Sequence, residues 1–127
     1  MKFLVVDDSS TMRRVMVNNL GRIGYTDVVE AEDGQDAFAR FAAGGIDFIM
    51  SDWNMPNMSG IELARAVRGH AAGGTVPIIM VTTRSAHEDI VTAVEAKVNN
   101  YILKPFTPAT LKEKIDDVLK ALSQQAA

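Results

Sequence analysis

Phe3-Leu4-Val5-Val6-Asp7-Asp8 and Phe48-Ile49-Met50-Ser51-Asp52 share one pattern. Each is an apolar run of strand length that ends in aspartate. A third run, Tyr101-Ile102-Leu103, ends in Lys104-Pro105. Continuous apolar runs of this length suit strands buried on both faces, which is the situation in a parallel sheet. A carboxylate at the end of a buried strand is costly unless something occupies the space beside it. If these strands are parallel neighbours, the three acids share one pocket with a lysine at its rim.

Working outward, short apolar runs alternate with longer amphipathic ones. Strands are expected near 2–7, 27–31, 46–51, 76–81 and 99–103, and helices near 9–23, 33–43, 59–69, 85–96 and 108–122. Five βα units in succession predict an α/β protein with a parallel sheet covered on both faces. Ser59-Gly60-Ile61-Glu62 and Ser85-Ala86-His87-Glu88 both fit the capping-box pattern. Thr107-Pro108 offers an N-cap followed by proline at the first helical position. Met12, Met16, Leu20 and Ile23 form one apolar stripe, and Leu111, Ile115, Leu119 and Leu122 another; both read as core. Gly44-Gly45 and Gly73-Gly74 mark loops.

The composition sets the class. The chain has 127 residues, 47% hydrophobic and 23% charged, which suits one globular domain spanning 1–127 with no output domain. A net charge of -3 argues against a nucleic-acid-binding face. There are no cysteines, so disulfides and thiolate metal sites are excluded. No apolar run approaches the ~20 residues of a membrane span. The first strand begins by Phe3, leaving no room for a signal peptide, so the expected location is the cytoplasm.

In an open parallel sheet, ligands bind beyond the carboxyl ends of the strands. Asp7, Asp8, Asp52, Thr82 and Lys104 all fall at or just past such ends. Taken singly, each has a plainer reading: Asp8 as a helix cap, Thr82 as a β-branched strand residue, Lys104-Pro105 as a loop. Their convergence on several strand ends favours a site. Three carboxylates roughly 5 Å apart repel by about 3 kcal/mol per pair at an effective dielectric of 20. A bound cation relieves this, and oxygen-only ligands favour Mg²⁺ or Mn²⁺ over zinc. Asp8 and Asp52 suit direct ligation, Asp7 suits a role through water, and a backbone carbonyl near Asn54 completes the set. Asp52 is then the candidate nucleophile, since an aspartate can accept a phosphoryl group as an acyl phosphate. Lys104 and the Thr82 hydroxyl would meet the phosphoryl oxygens.

The segments Val5-Val6-Asp7-Asp8-Ser9, Ser51-Asp52-Trp53-Asn54-Met55-Pro56-Asn57-Met58-Ser59-Gly60, Met80-Val81-Thr82 and Tyr101-Ile102-Leu103-Lys104-Pro105-Phe106 resemble the receiver domain of two-component response regulators. The resemblance runs over the whole chain. The Asp-Trp-Asn-Met-Pro string points within that family to CheY-like chemotaxis regulators. It implies a flavodoxin-like (βα)5 doubly wound sheet of order 2-1-3-4-5, the order that such regulators themselves exemplify. It implies phosphorylation of Asp52 by a CheA-type histidine kinase, Mg²⁺ on Asp7, Asp8 and Asp52, and phosphoryl contacts from Thr82 and Lys104. Tyr101 becomes the switch aromatic, and the Lys104–Pro105 peptide is expected to be cis. The implied output face is the fourth helix, last strand and fifth helix, which in CheY-like proteins binds the flagellar switch protein FliM and controls rotation. A phosphatase is a further possible partner, and the protein is expected to be a monomer. It is a phosphoacceptor that catalyses its own phosphotransfer and dephosphorylation, not an enzyme on external substrates. The alternatives are a phosphate sink or phosphorelay intermediate, or a phosphorylation-independent structural module, against which the intact acid, threonine and lysine set counts.

Some positions depart from the family pattern. Thr83 stands where Ala or Gly is usual and adds bulk beside the site. Arg84 is expected to face the site and attract small phosphodonors. Lys97 occupies a common glycine position and would pay ~1–2 kcal/mol in a left-handed backbone. Ser59 replaces a usual Asp and keeps the capping role. Trp53 is expected to be partly exposed and to report occupancy by fluorescence. His70 reads as a surface residue, and His87 as a solvated side chain or a partner contact.

Overall fold

The apolar runs form the strands of one five-stranded sheet in the computed structural model, which describes residues 1–126. The elements are β1 (Phe3–Val6), α1 (Ser10–Arg22), β2 (Val28–Ala31), α2 (Gly34–Ala42), β3 (Phe48–Ser51), α3 (Gly60–Gly69), β4 (Ile78–Thr82), α4 (His87–Glu95), β5 (Asn100–Leu103) and α5 (Pro108–Ala126). All strand pairings are parallel and the order is β2-β1-β3-β4-β5. The central strands β1, β3 and β4 are buried along their whole length, which is why they carry continuous apolar runs rather than alternation.

Side chains alternate across the sheet, so each face has its own core. Phe3, Val5, Phe48, Met50, Ile79 and Val81 face Met16 and Leu20 of α1 and Leu111, Ile115 and Val118 of α5. Leu4, Val6, Ile49, Ile78 and Met80 face α2, α3 and α4 through Ala37, Phe41, Leu63, Val67 and Ala93. Register follows: Phe3 lies between Val28 and Phe48, and Val6 between Ala31 and Ser51, so β1 and β3 end side by side.

The caps settle local detail. Ser59 forms a full capping box with Glu62. Thr107 Oγ1 accepts the Thr110 N–H at 3.1 Å ahead of Pro108. The expected box at Ser85 is absent: α4 begins one residue later, with Ala86 as its N-cap and no side-chain hydrogen bond. At α1 the cap is Ser9, whose side chain accepts from the Met12 N–H, which leaves Asp8 free of capping duty. Lys97 has φ of 64°, so the helix-end position is left-handed as the glycine pattern implied. The Lys104–Pro105 peptide is cis.

Candidate functional site

Parallel register delivers the acids to one place. Asp7 and Asp8 follow β1, and Asp52 follows β3, whose Asp52 N–H donates to the Val6 carbonyl at 2.9 Å. Carboxylate oxygens of Asp7, Asp8 and Asp52 lie within 4.8 Å of one another, the separation anticipated from the sequence. Asp7 is 1% exposed, Asp52 half-buried and Asp8 exposed. A donor set of carboxylate oxygens alone fits a hard divalent cation. Asp7 already has both oxygens engaged: Oδ1 accepts the Ser9 N–H at 2.9 Å and Oδ2 pairs with Lys104 Nζ at 2.9 Å. That suits a contact through water better than direct ligation.

Lys104 arrives from the end of β5, one strand beyond β4. Its ammonium bridges Asp7 and, at 3.4 Å, Asp52 Oδ1. Oδ1 of Asp52 also accepts the Trp53 N–H at 2.8 Å. Among the described residues no hydrogen bond reaches Asp52 Oδ2. Burial pushes the Asp52 carboxyl above the ordinary carboxylate value; the Lys104 charge opposes this and the Asp7 charge adds to it.

Thr82 closes β4 at 1% exposure, and its Oγ1 accepts the Arg84 N–H at 3.2 Å. The Tyr101 hydroxyl donates to the Arg84 carbonyl at 2.5 Å. One residue's backbone therefore joins the buried hydroxyl to the aromatic of β5. Burial and the Asp89 carboxylate hold the Tyr101 phenol above its usual value, with Arg84 opposing.

Two expectations are corrected here. Trp53 is buried at 8% exposure, because the Arg84 guanidinium lies 4.7 Å over its ring. Arg84 is not poised to attract donors either. Its Nη2 donates to Asn54 Oδ1 at 2.8 Å and its Nη1 pairs with Asp89 at 3.2 Å, so its charge is already engaged. Thr83 is exposed beside it. His70 is half-buried, with its ring edge-on to Phe38 and Phe41, and its Nδ1 accepts the Ala72 N–H.

The loop after Asp52 is fastened to α2 and α3. Asn57, itself left-handed at φ of 67°, donates to Asp33 Oδ2 at 2.8 Å, while Asp33 Oδ1 caps α2 at Asp36. The Asp36 N–H and then the Asn57 amide hold the Asp33 carboxyl below its ordinary value. A Cβ on Gly60 would lie 2.1 Å from the Asp52 carbonyl, so glycine alone lets α3 approach the acid's backbone this closely.

Two cations were not singled out from the sequence. Arg68 donates to the carbonyls of Gly73, Val76 and Lys97 and to Asn99 Oδ1, tying α3 to the segments that lead into β4 and β5. Arg13 Nη1 donates to the Asp7 carbonyl at 2.6 Å. Its place four residues after the Ser9 cap was the available signal, since helix side chains lean toward the N-terminus.

With this geometry in place, known proteins supply the class. Residues 3–116 match the response regulator receiver domain family, and the chain belongs to that family. Its members are phosphoacceptor signalling proteins rather than enzymes on external substrates. The chain is 51% identical to chemotaxis protein CheY1 of Helicobacter pylori over 94% of its own length and 97% of that protein's. Among solved structures it resembles chemotaxis protein CheY4 of Vibrio cholerae, with a TM-score of 0.86 and 36% identity, over 92% of this chain and 97% of that one. It also resembles the receiver domain of a sensor histidine kinase from Pseudomonas aeruginosa, with a TM-score of 0.81 and 29% identity, over 88% and 91% of the two chains. That receiver holds a magnesium ion in its active-site cleft.

Proposed function

We propose that the chain is a single-domain, monomeric, cytoplasmic chemotaxis regulator. It takes a phosphoryl group on Asp52 from a CheA-type histidine kinase and then engages the flagellar switch protein FliM. The observation that carries this reading is the Lys104 ammonium lying between Asp7 and Asp52 inside a three-carboxylate cluster. Such a site holds anions together only while a cation sits among them.

An Asp52 carboxylate oxygen attacks the phosphorus of the donor phosphohistidine. The P–N bond breaks and its electron pair leaves with the imidazole. Lys104 moves its contact from Asp52 to the incoming oxygens, and the Thr82 hydroxyl donates to another. Mg²⁺ (or Mn²⁺), held by Asp8 and Asp52, by Asp7 through water and by the Asn54 carbonyl, would neutralise charge on the phosphoryl group. Water later releases phosphate from Asp52, alone or with a phosphatase.

The output reading rests on the Thr82–Arg84–Tyr101 linkage and on the surface beside it. When Thr82 turns to the phosphoryl group, its bond from the Arg84 N–H is given up and the Tyr101 anchor shifts with that backbone. Next to Tyr101 the α4–β5 face exposes Ile90, Val91, Val94 (66%) and Leu103. A groove of about 210 Å³ runs there between Ile90, Val94, Val98 and Tyr101. It offers apolar docking to a partner helix. Binding of a FliM N-terminal peptide, measured with and without beryllofluoride, tests this: tighter binding with beryllofluoride is expected. Failure in both states would leave a phosphate sink or relay intermediate.

A further inference from the structure

Asp7, just past β1, keeps an ordinary ladder bond on one side: its N–H donates to the Ala31 carbonyl of β2 at 3.2 Å. In a continued parallel ladder, the Asp7 carbonyl would next accept the N–H of residue 33. That cannot happen, because β2 stops at Ala31 and Asp33 turns away to cap α2. A strand-end carbonyl beside the acid cluster would be left unmatched. Arg13 supplies the missing donor. Its Nη1 reaches back from α1 to the Asp7 carbonyl at 2.6 Å, while its Nε is held by Glu30 of β2 at 3.3 Å. The arginine side chain is only 18% exposed.

The consequence falls on Asp8. Its carboxylate is exposed, and among the described residues no hydrogen bond holds it. With no side-chain partner among those residues, Asp8 takes its direction from the backbone that carries it, beginning with the Asp7–Asp8 peptide. Of that peptide plane, the Asp7 carbonyl is held by Arg13; the peptides before and after it are held by the Asp7 N–H ladder bond and by the Ser9 N–H on Asp7 Oδ1. We infer that Arg13 is a positioning residue for divalent-cation binding: it orients the Asp7–Asp8 peptide so that the Asp8 carboxylate stays in the cluster. This rests on the metal reading proposed above and extends it to a residue that touches no metal.

Positioning and plain electrostatics predict opposite signs. As a nearby positive charge, Arg13 opposes cation binding, so removing it would tighten binding if charge were its only effect. As an orienting donor, its loss weakens binding, by roughly tenfold on the pattern of other partners that orient metal ligands. Mg²⁺ titration calorimetry on the full chain separates the two. The samples are wild type, Arg13→Gln, Arg13→Lys and Asp8→Asn, each checked for folding by thermal unfolding in EDTA. The expected result is weaker Mg²⁺ binding in both arginine variants, roughly tenfold, persisting at high KCl where charge effects fade. Lysine keeps the charge but replaces the rigid two-nitrogen fork that spans the Asp7 carbonyl and Glu30 with a single nitrogen on a flexible stem. Tighter binding in Arg13→Gln with unchanged binding in Arg13→Lys would overturn the inference and leave the metal site standing. If Arg13→Gln does not fold, Arg13→Lys decides alone, since the charge-only account predicts no change. Absence of Mg²⁺ binding in wild type would overturn the site reading and this inference with it.

Discussion

At the scale of single residues, the clearest strain in the molecule lies at Lys97. Its left-handed backbone at φ of 64° costs a residue with a Cβ ~1–2 kcal/mol, and its side chain is exposed with nothing to lose. Lys97→Gly is therefore expected to stabilise the protein by about 1 kcal/mol in urea unfolding; a loss of stability would contradict the assignment. Asp52 makes the opposite trade. Its carboxyl is raised by burial, so between its unfolded and folded values the native state binds more protons than the unfolded chain. Stability therefore falls as pH rises through that window, and the deficit is complete above the folded value. In EDTA, Asp52→Asn is expected to unfold at a higher temperature than wild type at neutral pH. The gap should narrow as the pH is lowered through the raised Asp52 value. A destabilised Asp52→Asn protein in EDTA would show that Lys104 overcompensates the burial.

Among elements, cap chemistry shows where a sequence is legible and where it is not. Ser59-Gly60-Ile61-Glu62 and Ser85-Ala86-His87-Glu88 look alike on paper, yet only the first closes a box. Ser59→Ala is expected to cost about 1 kcal/mol and Ser85→Ala almost nothing, compared by thermal unfolding. Equal losses would contradict the assigned start of α4. The difference arises because the backbone around Arg84 is spoken for: its N–H goes to Thr82 and its carbonyl to Tyr101, which sets where the helix can begin. The strands and the Asp7, Asp8, Asp52 and Lys104 placement could be read directly, because apolar runs and strand ends are local patterns. The engagement of Arg84 with Trp53, Asn54 and Asp89 could not, nor could Arg13 with Glu30. Those contacts join side chains from separate elements, and no local spacing encodes which way a long cationic side chain turns.

Across the whole molecule, the two faces of the sheet have different duties. One packs α1 and α5 over a closed core; the other carries α2, α3 and α4, with the apolar α4–β5 surface at its edge. The Arg84 backbone links Thr82, at the end of β4, to Tyr101 beside that surface. Tyr101→Phe removes the bond to the Arg84 carbonyl, worth about 1 kcal/mol. It is expected to leave Asp52 phosphorylation intact while shrinking the beryllofluoride-dependent gain in peptide affinity. An unchanged gain would break the proposed link. Both the proposed site chemistry and the output depend on Asp52 as the phosphoryl acceptor of a cation-dependent site. Mass spectrometry of wild type and Asp52→Asn after incubation with acetyl phosphate, with Mg²⁺ or EDTA, tests this role most directly. The prediction is one phosphoryl group per chain on Asp52 with Mg²⁺, none with EDTA and none in the variant. Stoichiometric labelling of Asp52→Asn, or labelling of wild type that ignores EDTA, would contradict it.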